Sequence, residues 1–119
     1  MSMKRSFLNS KIHKATVTDS QIDYEGSCEI DIALLNAAGI GIYEKIDIYN
    51  ITNGERFSTY AIKGKAESGT ICINGAACHK AKIGDKIIIC TYADLKNDEI
   101  INHKPMVIRV DANNKIIEC

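Results

Sequence analysis

A small, mainly β protein closed as a barrel, with one or two short helices, is the fold class this sequence predicts. Three observations predict it. Short runs rich in β-branched residues recur along the chain. Turn-forming clusters separate them, Asn53-Gly54 and Asp111-Ala112-Asn113-Asn114 among them. No rhythm of buried strand, helix and buried strand is present, so a parallel α/β sheet is not expected.

The elements follow in order. Residues 6–18, SFLNSKIHKATVT, alternate roughly between β-branched and polar side chains and read as one strand, or two joined at a bend. Lys11 and His13 share a parity and fall on one face, which the pattern alone reads as an exposed strand face. Asp19 to Glu25 is polar and turn-like, and Cys28 to Ile32 reads as a short strand. Asp31 is placed to cap a brief helix over 32–38, with Gly39 as its stop. Gly39 and Gly41 lack the spacing of a phosphate-binding loop.

Glu44 to Ile51 alternates cleanly, with Ile46 and Ile48 set against Asp47 and Tyr49. Asn53-Gly54 then signals a hairpin, and Glu55 to Ile62 is the return strand. That strand carries Arg56, Ser58, Thr59 and Tyr60, a dense set of functional groups. Glu67-Ser68-Gly69 is a turn, and 70–73 a short strand. The small residues Asn74-Gly75-Ala76-Ala77 let backbone groups approach a ligand or a neighbouring chain, though a plain tight turn explains them as well. Lys86 to Tyr92 is nearly all apolar and is expected at the centre of the core. Residues 94–101 can form a helical turn, and Pro105 ends any helix. Residues 106–110 and 115–118 pair as a final hairpin.

Composition excludes several function classes. The chain has 119 residues, 45% of them apolar, and a formal net charge of zero. That bounds it to one domain. Lys4, Arg5, Lys11 and Lys14 make the N-terminal region mildly basic, but no long basic run suits nucleic acid or an anionic membrane. No apolar run approaches the ~20 residues a membrane span needs. The first residues lack the apolar stretch of a secretory signal, so the expected location is the cytoplasm. The five cysteines are odd in number and contain no Cys-x-x-Cys pair, so no disulfide framework or metal site is expected.

One stretch carries chemistry of its own, Tyr24-Glu25-Gly26-Ser27-Cys28. A serine directly after a glycine can turn its Oγ on the glycine carbonyl, the geometry of an N→O acyl shift. Gly-Ser is also a common turn dipeptide. This stretch, the run Ile51-Thr52-Asn53-Gly54-Glu55-Arg56-Phe57-Ser58-Thr59-Tyr60 and the segment Asn74-Gly75-Ala76-Ala77 occur in an order and spacing that resemble the pyruvoyl-dependent aspartate 1-decarboxylases. The likeness covers about Lys11 to Tyr92.

The resemblance implies a six-stranded double-psi β-barrel assembled as a homotetramer. It implies a proenzyme cut between Gly26 and Ser27 into residues 1–26 and 27–119. Ser27 would become a covalent pyruvoyl group that forms a Schiff base with L-aspartate and draws off the electrons released at Cα. The products would be β-alanine and carbon dioxide, for pantothenate and coenzyme A synthesis. In processing, Ser27 Oγ would attack the Gly26 carbonyl to give an ester; β-elimination to dehydroalanine and hydrolysis would then yield the pyruvoyl group and ammonia. Thr59 would donate to the oxyanion on Gly26, and His13 and Tyr24 would lie near the cut. Tyr60 would return a proton to Cα. Asn74, Gly75, Ala76 and Ala77 would line the pocket.

Arg56 and Lys11 match the two carboxylates of aspartate. Gripping the α-carboxylate would stabilise the group that must leave as neutral carbon dioxide, whereas gripping the side-chain carboxylate does not raise that barrier. Arg56 with Lys11 is therefore assigned to the side-chain carboxylate.

One conflict follows from strand geometry. In a regular strand Arg56, Ser58 and Tyr60 face one way and Thr59 the other. A bulge, a strong twist or a site at a subunit interface would reconcile them, and the interface is preferred because so short a chain has little interior to give to a pocket. The competing reading is a non-catalytic β-barrel binding or assembly module in which Ser27 stays intact.

Overall fold

A computed structural model describes residues 3–119. The expected N-terminal piece therefore begins two residues outside the described chain. Among the described residues nine strands form: β1 (Lys4–Thr16), β2 (Asp19–Gln21), β3 (Ser27–Asp31), β4 (Lys45–Asn50), β5 (Arg56–Gly64), β6 (Ile71–Asn74), β7 (Lys86–Lys96), β8 (Met106–Val110) and β9 (Ile116–Glu118). Two short helices, α1 (Ile32–Ala38) and α2 (Asn97–Ile100), and a 3-10 turn over Gly75–His79 complete the chain. The fold is the small, mainly β barrel that the sequence predicts. Nine strand segments are present among the described residues, with the three-residue pieces β2 and β9 at the two ends of the order.

That order is β2-β6-β3-β5-β4-β7-β1-β8-β9. Three neighbouring pairs are parallel, β2 with β6, β3 with β5 and β1 with β8, and the other ladders are antiparallel. A parallel pair cannot be closed by a tight hairpin, so the chain must cross over to make each one. These crossings wrap the sheet around its core.

The core is built largely of isoleucine. Ile12, Ile30, Ile46, Ile48, Ile71, Ile73, Ile87, Ile89 and Ile108 are fully buried. A β-branched side chain suits a pleated surface. Each one buried contributes about 1.5–3 kcal/mol. Along β4, Ile46 and Ile48 point in while Lys45, Asp47 and Tyr49 point out. The wall of the barrel therefore has an apolar inner face and a chemically rich outer face.

Two segments depart from expectation. Asp19–Gln21, expected as part of a turn, forms β2 against β6 in parallel register. The apolar strand expected over 86–92 runs on to Lys96, because β1 begins at Lys4 and supplies partners as far as Lys96. β1 stays one strand and absorbs its irregularity in two register shifts, the second at Ile12/Ala15, where Lys14 takes a φ of 69°. The Asn-Gly hairpin is present but wider than a two-residue turn. Gly54 N–H donates to the Asn50 carbonyl at 2.8 Å, and Asn50 Oδ1 accepts from Thr52 N.

Among the described residues, no helix is long and apolar enough to cross a membrane.

Asp31 joins β3 to α1 and holds the following loop. Its buried carboxylate accepts from Ala33 N at 2.8 Å, Glu67 N at 2.9 Å and Gly69 N at 2.9 Å. Asp31→Ala leaves these donors without that acceptor and should cost about 3 kcal/mol in a urea unfolding measurement. A loss under ~1 kcal/mol would mean that water or a neighbour replaces the carboxylate.

Candidate functional site

β3 runs between β5, parallel, and β6, antiparallel. The antiparallel register sets Ser27 directly opposite Asn74. Both are buried, at 4% and 3% exposure. Asn74 Nδ2 donates to Ser27 Oγ at 3.0 Å. The serine hydroxyl meets the Glu25 carbonyl only at 3.4 Å, a long contact. Its oxygen is thus firmly held by a donor while its proton is loosely held. Donation to an oxygen favours negative charge on it.

On the other side, Cys28 pairs with Ala61 and both point into the core. One residue back on each strand, Ser27 lies beside Tyr60, on the opposite face from that pair. Tyr60 is 37% exposed, with its ring 6.4 Å from that of Tyr43. A further residue back, the chain bends at Gly26 and leaves the ladder, while Thr59 continues β5 one residue before Tyr60. The structure therefore gathers Gly26, Ser27, Tyr60 and Asn74 around the strand pair β3 and β5 and the end of β6, with Thr59 next to Tyr60 along β5. An open pocket borders them, lined by Tyr43, Lys45, Ser58, Thr59 and Tyr60.

Two glycines behave differently from one another. Gly75 has a φ of +76°, and a Cβ there would come within 2.8 Å of Gly26 Cα, 2.9 Å of Gly26 N and 3.1 Å of the Tyr24 carbonyl oxygen. Its backbone is the surface on which the Tyr24–Gly26 segment rests. Gly26 itself is exposed, has no left-handed φ and has open space where a Cβ would stand. Of the two, it is Gly75 whose backbone only glycine adopts readily. Beyond Gly75, Ala76 is exposed and Ala77 packs partly on the core. The Tyr24 side chain is 63% exposed.

The remaining predicted residues occupy the outer face of the neighbouring strands. Arg56, Ser58 and Tyr60 are exposed and alternate with half-buried Phe57 and Thr59. β4 and β5 pair from Lys45↔Tyr60 to Tyr49↔Arg56 with no register shift. The bulge considered for this strand is absent, and Thr59 does face away from Arg56 and Tyr60. Arg56 stacks its guanidinium 4.6 Å over the Tyr49 ring, and Tyr49 Oη shares a 2.8 Å hydrogen bond with Tyr92 Oη. Ser58 Oγ donates to Asp47.

Lys11 lies opposite Cys90 on β7, and β1 is the fourth strand from β3 in the order. His13 pairs with Arg109 on β8. Its imidazole is held below the usual histidine range by burial and then by Lys11, Arg109 and Lys14, and its buried Nδ1 has no hydrogen-bond partner. Lys11, His13 and Arg56 make no hydrogen bond to Ser27 or Asn74 among the described residues.

Sequence reasoning passed over Tyr49, Tyr92, Asp47 and Cys72. The first was within reach: a hairpin that closes on Asn50 and Glu55 must pair Tyr49 with Arg56. Tyr92 and Cys72 carried no local signal, because each reaches its neighbours through a ladder between distant segments.

Fold and site define a small β-barrel with a buried, hydrogen-bonded serine at the start of an inner strand. A profile of the aspartate decarboxylase family matches residues 3–117. Aspartate 1-decarboxylase of Ralstonia nicotianae is 54% identical over 116 residues, covering 98% of this chain and 97% of that one. The Psychromonas ingrahamii protein of the same name is 55% identical over 115 residues, covering 97% and 91%. That of Cupriavidus necator is 53% identical over 116 residues, covering 98% and 97%. The chain belongs to the aspartate decarboxylase family, a family of carboxy-lyases.

The glycine pair gives a direct contrast. Gly75→Ala should lose about 1–2 kcal/mol from its left-handed φ alone, and more from the clash with Gly26. Gly26→Ala should fold with a thermal midpoint close to that of the parent. Equal midpoints for the two variants in a melting experiment would contradict the packing described.

Proposed function

We propose that this chain is a proenzyme which splits between Gly26 and Ser27 and then decarboxylates L-aspartate to β-alanine and carbon dioxide, supplying pantothenate synthesis. Family membership over residues 3–117 carries the reading. The buried Ser27 beside Asn74 and Tyr60 supports it locally.

The residues present fit a pyruvoyl group formed at position 27. The site is buried, one polar donor is already aimed at Ser27 Oγ, and bare backbone at Gly75 brings the cleavable segment close. Once formed, that group supplies the electron sink that decarboxylation at Cα requires. In processing, the Ser27 Oγ to Gly26 carbon bond forms, the Gly26 to Ser27 peptide bond breaks and the Oγ proton ends on the freed Ser27 amine; β-elimination then releases the Gly26 carboxylate, and hydrolysis of the dehydroalanine releases ammonia. Asn74 stabilises charge that builds on Oγ as its proton leaves. Thr59, next to Tyr60 on β5, donates to the carbonyl oxygen as it turns anionic. On the outer face, Tyr60 holds a proton beside position 27. A phenol titrates near ~10, so it is protonated at neutral pH and available to a carbanion.

Arg56 and Lys11 hold the substrate's side-chain carboxylate, with His13 and Tyr24 as supporting groups. The stack of Arg56 on Tyr49 presents the edge of the guanidinium for a two-point contact. The distance in strand order between β1 and β3 favours a site completed by a second copy of the chain. Exposed Tyr24, Tyr43, Tyr60 and Tyr92 supply apolar surface for that contact. The assembly is a homotetramer, and a particle that stays at the 13.1 kDa of one chain in sedimentation would contradict it.

Intact-protein mass spectrometry tests the cut. The expected result is two fragments meeting at Gly26/Ser27, the larger lacking the equivalent of one ammonia, and a Ser27→Ala chain that stays whole. A parent chain that remains whole on long incubation with cell extract would favour the non-catalytic barrel.

Arg56→Lys should raise KM for aspartate about tenfold or more while leaving the cut intact, because one ammonium cannot copy a fork. Unchanged KM and kcat would remove Arg56 from substrate binding.

A further inference from the structure

The contact between Asn74 and Ser27 depends on which way round the Asn74 amide is held. A carboxamide is nearly symmetric in shape, so its surroundings decide which end is oxygen. Here the decision comes from Cys72, two residues earlier on β6. Strand alternation puts both side chains on one face, and both are buried, at 5% and 3% exposure. Cys72 Sγ donates to Asn74 Oδ1 at 3.2 Å, and the opposite end of the same amide reaches Ser27 Oγ at 3.0 Å.

The thiol can play this part only while it keeps its proton. An ordinary thiol keeps its proton at neutral pH, and the sheet widens that margin. Cys72 is flanked by Asp19 on β2 and by Glu29 on β3, each directly opposite it in register. Burial first, then these carboxylates and Cys78, push the Cys72 thiol up to about 11. At neutral pH it is a donor.

The alternative amide orientation has a different consequence for Ser27. Turning the amide over would set its NH2 against sulfur, a weak acceptor. It would also set Oδ1 against Ser27 Oγ. The serine would then have to donate, tying up the proton it must lose. In the observed orientation the serine oxygen accepts and its proton rests on the long 3.4 Å contact to Glu25.

We propose that Cys72 is a positioning residue for processing: its thiol fixes the orientation of the Asn74 amide so that Nδ2 is aimed at the oxygen of Ser27. The proposal rests on the Gly26–Ser27 cleavage described above. It concerns an atom-level switch in polarity and not packing, so a hydroxyl should serve where a methyl does not.

The experiment compares freshly purified parent chain with Cys72→Ser, Cys72→Ala and Cys72→Val. Cleavage is followed by intact mass, folding is checked by urea midpoint, and the amide orientation is read by nuclear Overhauser contacts from the Asn74 side-chain NH2 protons to the Ser27 β protons. Cys72→Ser should cut at the parent rate or faster and keep the amide contacts. Cys72→Ala and Cys72→Val should cut about 3–10-fold more slowly while folded, and lose or weaken those contacts. Parent-like cutting in Cys72→Ala and Cys72→Val would overturn the proposal, as would a slowing in Cys72→Ser as large as theirs. If even the parent chain never splits, the cleavage reading fails, and the amide contacts alone then decide: their persistence in Cys72→Ala overturns the role given to Cys72.

Discussion

The hydrogen bond from Asn74 to Ser27 is the interaction on which the site depends, and it exists because β3 lies between β5 and β6. The two residues are 47 positions apart, so no local preference brings them together. The antiparallel register does. A shift of one residue in a strand turns every side chain to the other face. Here such a slip would send Ser27 into the core and expose Cys28. The buried isoleucines on the inner face resist that slip, which makes the core a determinant of the chemistry. Asp31 at the end of β3 resists it as well, since its carboxylate is fastened to three backbone N–H groups.

The barrel wall divides the work between its faces. The inner face is filled by the buried core side chains. The outer face carries Arg56, Ser58 and Tyr60 on β5, Asp47 and Tyr49 on β4, Tyr92 on β7 and Lys11 on β1. On the proposed reading this is where aspartate binds, against a second copy of the chain. Thr59 faces the other way with no bulge to turn it, which suits a group that acts on the Gly26 bend and not on the substrate. On the proposed reading, the conflict seen along one strand separates processing from turnover.

Much of this was legible in the residues. The span of α1, its Asp31 cap and its Gly39 stop follow from local chemistry, and the structure has them where the pattern put them. The hairpin through Asn53-Gly54 and the one closing near Asn113-Asn114 follow from turn residues between alternating runs. The barrel class follows from the recurrence of such runs. What was not legible depends on pairing between distant segments. β2 looks like a polar turn until β6 is alongside it. The hydroxyl pair of Tyr49 and Tyr92 and the thiol contact of Cys72 likewise need the completed sheet. The glycine at 75 was visible as a small residue, but its tight approach to Gly26 was not, because that contact joins two turns far apart in the chain. The choice of aspartate decarboxylation among possible uses of a small barrel came from resemblance in three segments, with family membership agreeing over nearly the whole length.

The most direct test of the account is a time course that measures, in the same samples, the fraction of chain cut and the rate of carbon dioxide release from L-aspartate. The account predicts a straight line through the origin, since only chains that have lost the Ser27 amino group can hold the electron sink. Activity at full value in uncut chains, or none in fully cut ones, would contradict it.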